Sequence, residues 1–374
     1  MYPASVHTNI NTKQLDYFKG SRDANHPGDR LRQVRKGAED FREWFINSPE
    51  VLFYRSINLL RVPYPITLAY HGVFAGSVFL FPPVLHLLNR MFIIQYSDFN
   101  GDVRTLLFSP SDHEAGAETP YFKRMMQLLP RYFHDLVSPT YRTVEEALAM
   151  CDIAPEDVDF ISYDHLHTQD VRKWIGGKNN PGYFPNAKLI VHQQEWFGAS
   201  QPLPNQKDWY CPSGISDIDP KRLVFFEGDL HLGEGVVLMH TPGHTEGNHS
   251  LVCRVPDGIR VTSENGVGSD SYAPEHSSCS RIRNYALSTG ARVILNGNTQ
   301  ESSNDQYLSM IQEKVVAGPS ENPDFPNCVT SSEATPFWLF PGKGGTHLFG
   351  ERTFGTVQKK MNKTASSLPK VEAA

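Results

Sequence analysis

Asp164-His165-Leu166-His167-Thr168-Gln169-Asp170 and, further along, Thr241-Pro242-Gly243-His244-Thr245-Glu246-Gly247 are the stretches on which the reading of this chain turns. Two histidines spaced two apart, joined by a third from a distant tight turn, bring three imidazoles to one place. Three imidazoles with a fourth position left for water are the donor set of a catalytic zinc site. The first stretch directly follows Val158-Asp159-Phe160-Ile161-Ser162, which reads as a buried strand. A ligand pair on the loop leaving such a strand is held rigidly and faces the cleft where substrates reach α/β sheets.

Working outward, short apolar runs recur and end on polar residues. Lys188–His192, Leu223–Phe226, Val236–Met239, Ser250–Arg254, Gly258–Thr262 and Ala291–Leu295 are all expected as strands. Val236–Met239 runs into His240, Gly258–Thr262 into Glu264, and Ala291–Leu295 into Asn296-Gly297-Asn298. Upstream, Ile66–Tyr70 is β-compatible, and Arg90–Tyr96 and Val103–Phe108 flank Asn100-Gly101, a strong hairpin signal. Helical segments are expected within Ala38–Leu60, over Pro120–Leu136 and over Thr143–Leu148, the last followed by a turn at Ala154–Asp157. This alternation supports an α/β layered fold.

Three regions are expected: a polar N-terminal arm over residues 1–40, a central domain over 41–317, and a C-terminal extension over 318–374, partly disordered or wrapped on a partner. Those flanking segments suit a homo- or hetero-oligomer. The net charge of −6 and the lack of a basic stripe argue against nucleic acid. The five cysteines are scattered, odd in number and without C-x-x-C, which argues against a disulfide framework or a thiolate zinc site and suits a reducing cytoplasm. No signal peptide is visible at the start. The most apolar stretch, Val73–Leu88, is short of the ~20 residues of a membrane span and carries Pro82-Pro83 and His86. It reads as core.

With these pieces in hand, the sequence resembles the metallo-β-lactamase superfamily, nearest its glyoxalase II and lactonase-like hydrolases. The resemblance runs from about Ile66 to about Glu301. It rests on the Glu145–Met150 helix, the turn at 154–157, HLHTQD, the FPNAKLIVHQQEW stretch and TPGHTEGNHS. It implies an αββα sandwich of two mixed sheets flanked by helices, with the metal at one edge between them. It also implies the donors. His165, His167 and His244 match the family's first metal position. At the second position Gln169 stands where the family has aspartate, and Asp170 where it has histidine. Glu264 falls on the bridging aspartate and Asn298 on the last histidine.

The first position is therefore intact and the second altered, which points to one metal per chain: zinc, with iron or manganese as alternatives. Asp170 and Glu264 are candidate ligands or proton acceptors, and Asp170 could instead orient a ligand histidine. Gln169 and Asn298 are read as groups that bond substrate or support the ligands. His240 and His249, beside the second motif, are structural or reach substrate. Tyr70, His71, Phe74, Phe79, Phe81, Trp174, Tyr183, Trp196 and Trp209 line either core or the pocket of a small, aromatic substrate. The expected activity is hydrolysis of an ester, lactone, thioester or activated aryl ether. A helper subunit of a larger enzyme and an iron-dependent redox enzyme are the alternatives.

Overall fold

The computed structural model describes residues 10–74, 84–177, 180–297, 302–340 and 344–359. In chain order the strands are β1 Lys13–Leu15, β2 Phe53–Pro65, β3 Val84–Ser97, β4 Val103–Phe108, β5 Phe160–Ser162, β6 Lys188–His192, β7 Leu223–Phe226, β8 Asp229–Gly233, β9 Val236–His240, β10 His249–Val255, β11 Gly258–Thr262, β12 Ser332–Thr335 and β13 Thr353–Gly355. They form two sheets. The smaller runs β1-β8-β9-β10-β11, and the larger runs β13-β2-β3-β4-β5-β6-β7, with β12 pairing β3.

The larger sheet is mixed: β2, β3 and β4 are antiparallel, while β4-β5, β5-β6 and β6-β7 are parallel. In the smaller sheet every pairing is antiparallel, so only one of the two sheets is mixed. Short hairpin connections explain the difference, since Glu234-Gly235 joins β8 to β9 and Pro256-Asp257 joins β10 to β11.

Strand alternation builds the layers. In β3, Phe92 and Ile94 face the core between the sheets, whereas Met91 and Ile93 face the helices outside. In β9, Val236 and Leu238 face between the sheets, and Val237 and Met239 pack under helices 27–45 and 303–317. Strands covered on both faces carry apolar residues at nearly every position, as these do. Each fully buried Leu, Val or Phe contributes roughly 2 kcal/mol. The result is the αββα sandwich: helices, sheet, sheet, helices.

Several elements depart from expectation. Phe53–Pro65 is a strand, not part of a helical run, because its residues bury on both faces against β3. Ile66–Ala69 is one helical turn rather than a strand. The long helix expected over Pro120–Leu136 is broken: helix 120–127 ends before Pro130, and two short turns follow. Ala291–Leu295, expected as a strand, is irregular, with a bend at Arg292. Of the Val73–Leu88 run, residues 75–83 lie outside the described residues, whereas Leu85, Leu87 and Leu88 of β3 are buried.

The described parts of the flanking regions pack on the sandwich itself. Lys13–Leu15 add an edge strand to β8, and helix 27–45 buries Phe41 and Phe45 over the smaller sheet. Pro27 stands in its first turn, and the His26 ring accepts the Gly28 N–H. Past residue 318, β12 joins β3 and β13 joins β2. β12 is pinned by Arg90 and Glu333, a fully buried ion pair at 2.5 Å.

Candidate metal centre

The histidine motifs occupy loops at one edge of the sandwich. β5 ends at Ser162 and delivers Asp164, His165 and His167; β9 ends at His240 and delivers His244; β11 ends at Thr262 and delivers Glu264. Tight geometry shapes both motifs. Thr168 sits at φ 62°, a conformation a β-branched residue rarely adopts, and its N–H is bonded to Trp209 O at 2.7 Å. Gly243 has φ 151°, and a Cβ there would lie 2.1 Å from Gln306 Cα. Only glycine lets the second motif pass so close to helix 303–317.

His165, His167 and His244 converge. Their ligand-capable nitrogens all lie within 4.8 Å of one another, and all three residues are buried. His167 Nδ1 and His244 Nε2 are 3.3 Å apart. Two nitrogens at ~2.0–2.1 Å from one zinc ion in tetrahedral geometry are separated by about this distance. Burial, reinforced by the neighbouring rings, holds both imidazoles well below the usual histidine range, so they are neutral bases with lone pairs to give. For His165 burial opposes the charge, yet the Asp164 carboxylate, with Glu264 and Glu195 beyond it, raises its pKa to about 9. The donor set fits a borderline cation such as zinc.

Carboxylates complete the surroundings. Asp164, His165 and Glu264 form a second group of donors within 4.8 Å. Burial raises the Glu264 carboxyl to about 7. Glu195 fastens the two motif loops together. Its carboxylate accepts the Leu166 N–H at 2.7 Å and the Thr245 hydroxyl at 2.5 Å. Gly247 passes against Glu195 so closely that a Cβ would lie 1.9 Å from Glu195 N. Asn265 Oδ1 accepts the His244 N–H at 3.0 Å.

Other expected site residues go elsewhere. Asp170 does not join the cluster: its carboxylate accepts the Arg172 backbone N–H and clasps the Arg172 guanidinium, so its charge is already used. Gln169 does line the cleft, with Nε2 bonded to Ser111 Oγ at 3.0 Å and a buried Oε1 without a hydrogen-bond partner. His240 stacks on His192 at 4.0 Å and bonds Glu246 O, away from the trio. His249 lies 2.9 Å from Ser162 Oγ and is wholly buried. Asn298 lies outside the described residues, as do Phe79 and Phe81.

A cleft of about 580 Å³ opens over His165, His167, Asp164 and Glu264. Leu60, Val62, Tyr64, Phe122, Met126 and Trp209 supply its apolar wall. Of the aromatic residues expected there, Trp209 is present. Trp174, Tyr183 and Trp196 belong to the core behind the larger sheet, and Tyr70 and Phe74 pack in the same cluster as Tyr64, Phe122 and Trp209 without lining the cleft themselves. Asp164 and Glu195 were visible in the sequence, one beside the first histidine and the other just past β6. Nothing in their spacing gave them a role, because their partners come from distant loops.

The sandwich with a three-histidine cluster at its edge is the αββα architecture that the sequence resemblance implies. No family model matches it. Among curated proteins it is similar to an N-acyl homoserine lactonase from Bacillus sp, 34% identical over 98 residues, which are 26% of this chain and 34% of that protein. It is also similar to the N-acyl homoserine lactonase AttM of Rhizobium radiobacter, 30% identical over 113 residues, 28% of this chain and 38% of the relative. The matches thus span little more than a third of these relatives. Among solved structures, a quorum-quenching N-acyl homoserine lactone hydrolase is 16% identical, covering 66% of this chain and 90% of that one, with a TM-score of 0.43. The hydrolase AbOPH of the beta lactamase superfamily is 14% identical, covering 83% and 99%, with a TM-score of 0.44.

Proposed function

We propose that the chain is a metal-dependent hydrolase of small lactones or esters, holding one zinc ion on His165, His167 and His244. The observation that carries this reading is the convergence of three buried imidazoles, two of which, His165 and His167, line an apolar-walled cleft. The lactonase relatives favour a lactone among the expected substrates.

A zinc ion held there supplies the Lewis acidity that makes water a nucleophile near neutral pH and polarises a carbonyl. The side chains do the rest. Glu264, the carboxylate grouped with His165 at the cleft floor, accepts the proton of the attacking water on Oε. Gln169 Oε1 accepts a substrate N–H or O–H. Leu60, Val62 and Phe122 exclude bulk water from the carbonyl. Gln169 where the resembled family has a carboxylate, and Asp170 tied to Arg172, support the single-metal reading. The same donors would accept iron or manganese. Five cysteines without a disulfide suit a reducing compartment. Among the described residues no helix is long and apolar enough to cross a membrane.

Elemental analysis of the purified protein should give about one zinc per chain, and lactone or aryl-ester turnover should accompany it. His167→Ala and His244→Ala should lose both. Unchanged metal content in the two variants defeats the assignment. Metal binding with turnover only after a second chain is added would favour the helper-subunit reading.

A further inference from the structure

Asp164 stands between the first histidine and the C-terminal segment of the chain. Its Oδ1 lies 3.2 Å from His165 Nδ1 and accepts the His165 backbone N–H at 3.1 Å. Its Oδ2 accepts the Ser331 hydroxyl at 2.6 Å. Both side chains are buried, at 3% exposure each. Ser331 is itself fixed by main-chain pairing: its carbonyl accepts the Arg90 N–H at 2.8 Å, and β12 begins one residue later with Ser332 opposite Asn89.

We infer that Asp164 is a positioning residue for His165, and that Ser331 fixes Asp164, so that the segment beyond residue 318 supplies the outer support of the metal centre. This inference rests on the metal-binding reading above. An imidazole that directs Nδ1–H to a carboxylate keeps its Nε2 lone pair for a cation, with the ring orientation set and the basicity raised. The 3.2 Å approach is an ion-pair distance whose angle is not that of a formed hydrogen bond, since Nδ1 has no such partner. The Ser331 hydroxyl holds the carboxylate's other oxygen and so keeps the carboxylate beside the ring.

A competing role for Asp164 is purely local: its bond to the His165 backbone N–H would cap the loop whatever binds there. Zinc affinity separates the two. It is to be measured by competition with a chromophoric chelator, with thermal melting of the metal-free proteins run alongside. Asp164→Ala should bind zinc about 10–100-fold more weakly than the unaltered protein. Ser331→Ala should lose affinity in the same direction but by less, while its metal-free form still melts cooperatively at a somewhat lower temperature, and Ser331→Thr, which keeps the hydroxyl, should restore the affinity. If Asp164→Ala and Ser331→Ala hold zinc as tightly as the unaltered chain while His165→Ala does not, the positioning role is wrong and the metal site stands. If His165→Ala also binds normally, the metal reading itself fails. Should Asp164→Ala melt without cooperativity, Ser331→Ala decides alone.

Discussion

His167 Nδ1 and His244 Nε2 approach to 3.3 Å across 77 residues of sequence. Neither ring is charged, because burial holds both well below the usual histidine range. Two neutral, desolvated bases brought this close have little to offer each other beyond one shared proton. A cation satisfies both, so its removal should be felt by the whole fold. Saturating zinc should raise the melting temperature of chelator-treated protein, by an amount that grows with free zinc as mass action requires: about 2.7 kcal/mol at a hundredfold excess over the dissociation constant. Differential scanning fluorimetry with and without zinc checks this, and His244→Ala should show no zinc-dependent rise.

Asp170 invites the opposite expectation. Its carboxylate is engaged by Arg172 and stands outside the donor cluster. Asp170→Asn should therefore retain the metal content of the unaltered protein, measured by elemental analysis. A loss matching that of His167→Ala would place Asp170 among the ligands after all.

Glu195 is the fastening between the two motif loops. Removing a buried charged acceptor strands two donors, at about 1–3 kcal/mol each. Glu195→Ala should lower stability by about 2–6 kcal/mol in urea unfolding, and should weaken metal retention as the loops part. Stability within 0.5 kcal/mol of the unaltered chain would mean that packing alone holds the loops.

Glu333 is matched to Arg90 with both side chains 1% exposed. Breaking such a pair from one side leaves an uncompensated buried charge, at about 3–5 kcal/mol. Glu333→Ala should show that loss in denaturant titrations. The double variant Arg90→Met/Glu333→Leu should recover much of it, since two apolar groups leave no charge stranded.

Asp229 gives a pH signature remote from the histidine trio. Burial pushes its carboxyl up to about 7, although the His240 N–H at 2.8 Å and the Arg22 charge work against the rise. Its folded value thus exceeds the ordinary 3.8. Between those limits the folded protein holds a proton that the unfolded chain releases, so the stability contributed at low pH is lost as pH rises from about 4 to about 7. Asp229→Asn keeps an acceptor for the His240 N–H and cannot ionise. Its stability relative to the unaltered protein should climb across that window, by at most about 1.4 kcal/mol per pH unit, and level off above it. Parallel curves for the two proteins from pH 4 to 7 would refute the assignment.

The three histidines and the strands that carry them were legible because each signal is local. A strand such as Lys188–His192 announces itself by its own apolar run, and TPGHT by its own turn. A carboxylate adjoining the motif, as Asp170 does, looks like a donor, and the Arg172 that engages it sits two residues on, where no spacing rule assigns it. Phe53–Pro65 misled because a strand covered on both faces shows no alternation, and its run of apolar residues imitates a helix. Pro130 did announce the break in the 120–136 helix, but Phe122, Met125 and Met126 at helical spacing hid it. The Glu195 fastening and the Asp164–Ser331 contact depend on residues 50 and 167 positions apart. One chain carries no trace of such couplings until it folds.

β12, at Ser332–Thr335, has a consequence for how the protein comes into being. All three histidines leave the ribosome long before it does, yet the carboxylate beside the first of them meets its hydroxyl only when residue 331 arrives. Any ion captured earlier during synthesis would sit in a half-built socket, and nascent chains stalled short of that point should exchange metal faster than finished ones.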